Sequence, residues 1–123
     1  MACDTPSILI VDDEAFVAWD LLQAFESTGK AVVGPAASLS TGLAAVQAEH
    51  LCGAVLDINP CAETVWPLAD RLQERGIPLG FISANLHHPE LEERFAAAPK
   101  LSKPVRESDL LAMVDYLVMR SSC

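Results

Sequence analysis

Positive charge is scarce at the start of this chain. None of the first 29 residues is Lys or Arg, whereas six are acidic. Residues 30–70 add one base and four acids, and residues 71–123 hold seven of each, so the net charge of −9 lies wholly in the first 70 residues. That balance excludes a nucleic-acid or anionic-membrane surface, because both need a basic face. It leaves room for a metal cation or a basic protein patch. No apolar run approaches the roughly 18 residues of a membrane span. Met1–Ser7 lacks the basic start and apolar stretch of a signal peptide, so a cytoplasmic protein is expected. Aromatic residues are few, at 6%, yet 51% of the chain is hydrophobic, which excludes disorder and predicts an aliphatic core. At 123 residues, with no linker, repeat or low-complexity segment, one domain spanning residues 1–123 with no output domain is expected. Cys3, Cys52, Cys61 and Cys123 form no CxxC and no Cys/His metal spacing. Four free thiols are expected, with a Cys52–Cys61 disulfide as the alternative.

What the chain does have is a regular alternation. Ser7–Val11 is a short apolar run suited to a strand buried on both faces. Phe16, Trp19, Leu22 and Phe25 follow at helical spacing, with Gly29 placed to end the helix. Residues 31–34 read as a second strand, and Ser38 can cap a helix built on Leu39, Leu43 and Val46. Residues 53–58 form a third strand, followed by a helix on Val65, Leu68 and Leu72 that stops at Gly76. Leu79–Ser83 is a fourth strand, residues 89–97 a short charged helix and Lys100–Ser102 a fifth strand. The last helix begins near Glu107 and runs on Leu110, Leu111, Val114, Leu117 and Val118. Alternation of this kind predicts an α/β fold, a doubly wound parallel sheet with helices on both faces. Ligands of such sheets bind outside the carboxyl ends of the strands.

The residues at those ends are Asp12 and Asp13, Asp57, Ser83 and Lys103. Each alone has an ordinary structural reading as a helix cap, a turn or a strand exit. Together they are harder to dismiss. Carboxylates about 4 Å apart repel by about 4 kcal/mol at an effective dielectric near 20. One lysine does not balance three acids, and a hard divalent cation such as Mg²⁺, which favours a few carboxylate oxygens, would. Acids, metal, lysine and hydroxyl in one cleft point to phosphoryl chemistry.

Ile8-Leu-Ile-Val-Asp-Asp-Glu14, Val55-Leu-Asp57, Phe81-Ile-Ser-Ala84 and Lys103-Pro104 stand in the order and on the strands of a known family. The chain resembles the receiver domains of two-component response regulators over essentially its whole length. Leu56-Asp-Ile-Asn59, Val65-Trp-Pro-Leu-Ala-Asp70 and Arg75-Gly-Ile-Pro78 resemble a narrower group, the alphaproteobacterial single-domain receivers whose fourth strand usually ends in Phe-x-Thr-Gly-Tyr. The resemblance implies a flavodoxin-like sheet of five strands in the order 2-1-3-4-5. It implies that Asp57 accepts a phosphoryl group from the phosphohistidine of a sensor histidine kinase. Asp12, Asp13, Asp57 and the backbone carbonyl of Asn59 would hold Mg²⁺. Ser83, the backbone NH of Ala84 and Lys103 would bind the phosphoryl oxygens, and Lys103-Pro104 would be a cis peptide. A protein of this kind catalyses its own phosphorylation and dephosphorylation without turning over a separate substrate. It signals by binding an unknown downstream protein, or serves as a phosphate sink. The apolar positions of the last helix could serve a homodimer through the face of the fourth helix, fifth strand and fifth helix, and the sequence leaves the oligomeric state open.

Three departures bear on output. Cys61 and Val65 stand where the common pattern has Pro and Gly, Lys100 replaces the usual aromatic switch residue, and Ser83-Ala84-Asn85 replaces Thr-Gly-Tyr. None touches the acids or Lys103, so phosphoacceptor chemistry is expected to survive while the aromatic-rotamer switch is not. The alternative is a pseudo-receiver that acts only as a phosphorylation-independent interaction module. A flavin site fits poorly because Asp-Asp-Glu follows the first strand, where a nucleotide phosphate needs amides and hydroxyls. His87-His88 reads as a solvated loop rather than a metal site, and Trp19 and Trp66 read as packing residues.

Overall fold

The nearly unbroken apolar runs become the centre of a sheet. In the computed structural model, which describes residues 7–12, 23, 26, 27, 29, 31–36, 39–48, 50–58, 65–84, 88–103 and 106–121, Ser7–Val11 forms β1, Gly53–Asp57 β3 and Leu79–Ser83 β4. All of β3 and β4, and all of β1 past Ser7, is buried, as strands covered on both faces must be. Ala31–Ala36 (β2) and Lys100–Ser102 (β5) are the edges of a five-stranded parallel sheet in the order β2-β1-β3-β4-β5. β2 runs two residues beyond the expected Gly34 and takes in Pro35. An edge strand tolerates a residue without an amide, and the pairing with β1 shifts register between Leu9 and Val11. β3 ends at Asp57 rather than Ile58, because the Ile58 carbonyl turns to accept the Val65 amide at 3.0 Å.

Four helices whose bounds are described cover the sheet: α1 (Leu39–Ala48), α2 (Trp66–Glu74), α3 (Pro89–Glu93) and α4 (Glu107–Arg120). Alternate strand residues feed two cores. Leu9, Val11, Leu56 and Phe81 pack with Val46, Leu68, Leu72 and Leu91 on one face. Ile8, Ile10, Val55 and Ile82 pack with Leu110, Met113, Val114 and Leu117 of α4 on the other. Helices therefore lie on both faces, as the alternation predicts. Leu111 and Val118 are half-buried against the second core, and Met113, not among the expected positions, is buried in it. Gly76 ends α2 with φ +69°, a backbone that a side chain rarely adopts. The expected first helix on Phe16, Trp19, Leu22 and Phe25 and the Ser38 cap lie outside the described residues, whereas Gly29 has φ 80°.

Two further expectations fail. α3 stops at Glu93, not Ala97. Beyond it the carbonyls of Phe95, Ala96 and Ala98 accept hydrogen bonds from the Lys100 ammonium at 3.0, 3.2 and 2.7 Å, so they turn to a cation instead of continuing a helix. Cys52, fully buried at the entry to β3, is disulfide-bonded, so it is not the free thiol expected. Cys3, Cys61 and Cys123 lie outside the described residues.

Candidate functional site

Parallel strands bring their carboxyl ends to one edge of the sheet, and each contributes a residue there. Asp12 follows β1 directly, Asp57 ends β3, Ser83 ends β4 and Lys103 follows β5. The first three are the buried polar residues of the described core, with exposures of 2%, 7% and 6%. Lys103 is turned inward by the backbone: its amide donates to the Ser83 carbonyl at 2.9 Å, which ties the exit of β5 to the end of β4. Its ammonium then lies 3.4 Å from Asp12 Oδ2 and 3.5 Å from Asp57 Oδ2.

Two carboxylates thus share one ammonium in a largely dehydrated place. Desolvation penalises each charge, and among the described residues one cation faces both acids. Asp12 Oδ2 is closed to solvent, and among the described residues the Lys103 ammonium is the group beside it. A buried anionic oxygen in that state, paired with a second carboxylate, has the donor chemistry of a hard oxygen-ligated cation such as Mg²⁺. The group is incomplete among the described residues, where no three His, Cys, Asp or Glu side chains gather to hold a metal. Asp13 and Asn59, the other expected ligands, and Pro104 of the expected cis peptide lie outside the described residues. Ala84 is described, exposed in the bend that follows β4.

The other singled-out residues fall elsewhere. Trp66, half-buried at the start of α2, stacks on Phe95 at 5.9 Å and 14°, and also meets Phe81 at 5.8 Å. His88 abuts the same indole edge-on at 5.9 Å; it packs where a solvated loop was expected, while Trp19 and His87 lie outside the described residues. This aromatic cluster is invisible to local pattern, because its members come from four separate segments. A cavity of about 320 Å³ opens at the amino ends of β4 and β5, away from the acids, and Arg94 and Arg120 border it.

No family model matches the chain, and no curated protein matches it. Solved structures do. A response regulator receiver protein from Sinorhizobium medicae WSM419 is similar at a TM-score of 0.85 and 22% identity, over 98% of this chain and 100% of that one. A CheY-like response regulator receiver domain protein from Methanospirillum hungatei JF-1 is similar at 0.84 and 24%, over 95% and 97%. The fold is that of response regulator receiver domains. The receiver fold is shared as well by the response regulator PhyR from Brucella abortus, with a TM-score of 0.80 and 25% identity over 94% of this chain and 48% of that one. The 2-1-3-4-5 strand order implied by the resemblance is the order found. No described helix is long and apolar enough to cross a membrane.

Proposed function

We propose that this chain is a Mg²⁺-dependent phosphoacceptor that takes a phosphoryl group from a histidine kinase onto Asp57. The observation that carries the reading is the convergence of Asp12 and Asp57 on one Lys103 ammonium at the ligand-binding edge of a receiver fold. An Asp57 carboxylate oxygen attacks phosphorus, the P–N bond of the phosphohistidine breaks and the imidazole leaves with its electron pair. The product is an acyl phosphate. Lys103 pairs with a phosphoryl oxygen and the Ser83 hydroxyl donates to another, so that charge developing on the transferred group meets fixed donors. Asp12 and Asp57, with Asp13 and the Asn59 carbonyl carried over from the resemblance, would hold Mg²⁺. A bound Mg²⁺ supplies the positive charge that lets a carboxylate and a phosphoryl group approach.

Segments 56–59 and 65–70 support the alphaproteobacterial single-domain type, acting through an unnamed downstream protein or as a phosphate sink. Incubation with Mg²⁺ and acetyl phosphate tests the reading. Wild type should gain one phosphoryl group by intact mass and Asp57→Asn none; equal labelling of both would remove Asp57 from the role. A phosphorylation-independent interaction module is favoured by one observation only, the Lys100 ammonium fixed to three carbonyls in place of an aromatic switch. Such a module would take no label and show no saturable Mg²⁺ response.

A further inference from the structure

We propose that the edge contact between His88 and Trp66 is the conformational switch of this chain, opened when a phosphoryl group on Asp57 draws in Ser83. The inference rests on the acceptor reading above and says where its signal leaves the site. The two rings belong to the two connections that leave the acceptor's strand and the hydroxyl's strand. Val65, next to Trp66, donates its amide to the carbonyl of Ile58, the residue after Asp57, at 3.0 Å. His88 lies five residues after Ser83, and its carbonyl accepts the Leu91 amide at 3.0 Å at the start of α3. A change in the separation of Asp57 and Ser83 therefore reaches the indole through the connection after Asp57 and the imidazole through the connection after Ser83.

Two ring contacts of Trp66 are unequally held. Phe95 stacks on the indole and also meets Phe81 at 5.4 Å. The turn carrying Phe95 is fixed by the three bonds of Lys100, at the position that holds the switch aromatic in the receivers this chain resembles. That contact is braced. His88 meets the same indole edge-on, and its Nε2 is closed to solvent and makes no hydrogen bond among the described residues. A buried polar atom left unbonded is destabilising, and moving out to water relieves it. The contact that yields first is His88 on Trp66, and its opening uncovers one edge of the indole.

The test uses the full chain carrying Trp19→Phe, so that Trp66 alone emits, with Mg²⁺ and acetyl phosphate. Phosphoryl occupancy is read by intact mass on the same sample. The switch predicts a red shift of Trp66 emission that grows with occupancy. In His88→Ala the emission should be red-shifted at the outset and move no further while the adduct still forms. In His88→Phe, which keeps the ring and removes the unbonded nitrogen, the shift at equal occupancy should be smaller. An adduct with unchanged Trp66 emission, or the same shift in all three proteins, would overturn the switch and leave the acceptor reading standing. Absence of any adduct would overturn both.

Discussion

Lys103 Nζ lies 3.5 Å from Asp57 Oδ2 and only 3.4 Å from Asp12 Oδ2, so a single ammonium is shared by two acids at the carboxyl ends of two different strands. The sharing makes the lysine structural before it is chemical. Lys103→Met should lower stability in metal-free buffer by about 3–5 kcal/mol, the usual cost of leaving buried charge uncompensated. Mg²⁺ should recover part of that loss. Urea melts with EDTA and with Mg²⁺ measure both quantities, and a loss unaffected by Mg²⁺ would separate the lysine from the cation site.

Asp12→Asn removes one acid and keeps the side-chain volume. Among the described residues that leaves one acid, Asp57, beside Lys103, so the apo protein should melt at or above the wild-type temperature. The Mg²⁺-induced rise should be lost. For wild type that rise corresponds to about 2.7 kcal/mol when Mg²⁺ is a hundredfold above its Kd. Thermal melts across a Mg²⁺ titration check it, and an undiminished rise in the variant would exclude Asp12 as a ligand.

Lys100→Ala releases three carbonyls of the turn between α3 and β5. The ammonium is half-exposed, so the cost should fall at the low end of the about 1.5–3 kcal/mol typical of hydrogen bonds to a charged group. Labelling by acetyl phosphate should persist, because Lys100 does not touch the acids. Denaturation and intact mass on one preparation give both answers; loss of labelling in a folded variant would place Lys100 in the site.

Leu56→Ala tests the core beneath the site. Leu56 is fully buried in β3, one residue before Asp57, and truncation should cost about 2–5 kcal/mol. A chemical-denaturation midpoint unchanged from wild type would contradict the packing described.

The strands were legible because their chemistry is local. Ser7–Val11 and Leu79–Ser83 are apolar runs that stop where polar residues begin, and their observed bounds are those the pattern predicts. Once the strands are parallel, Asp12, Asp57, Ser83 and Lys103 must come to one edge, so their grouping could be read before any coordinates. What escaped depends on partners distant in the chain or on backbone groups. The charged segment after Pro89 has helical composition, yet Lys100 takes the carbonyls that a longer helix would use. Pro35 argued for an early end to β2, and the edge position of that strand removed the objection. Cys52 carries no local mark of its disulfide. His88 and Phe95 meet Trp66 from 22 and 29 residues away, beyond any helical or strand period.

The central claim is that Asp57 carries the phosphoryl group, and its most direct test is to trap the acyl phosphate where it forms. The chain is phosphorylated with acetyl phosphate and Mg²⁺, reduced with borohydride, which converts an aspartyl phosphate to homoserine, and mapped by peptide mass spectrometry. The account predicts homoserine at position 57 and nowhere else, dependent on Mg²⁺. Homoserine at another acid, or none while the protein is shown to be folded, would contradict it.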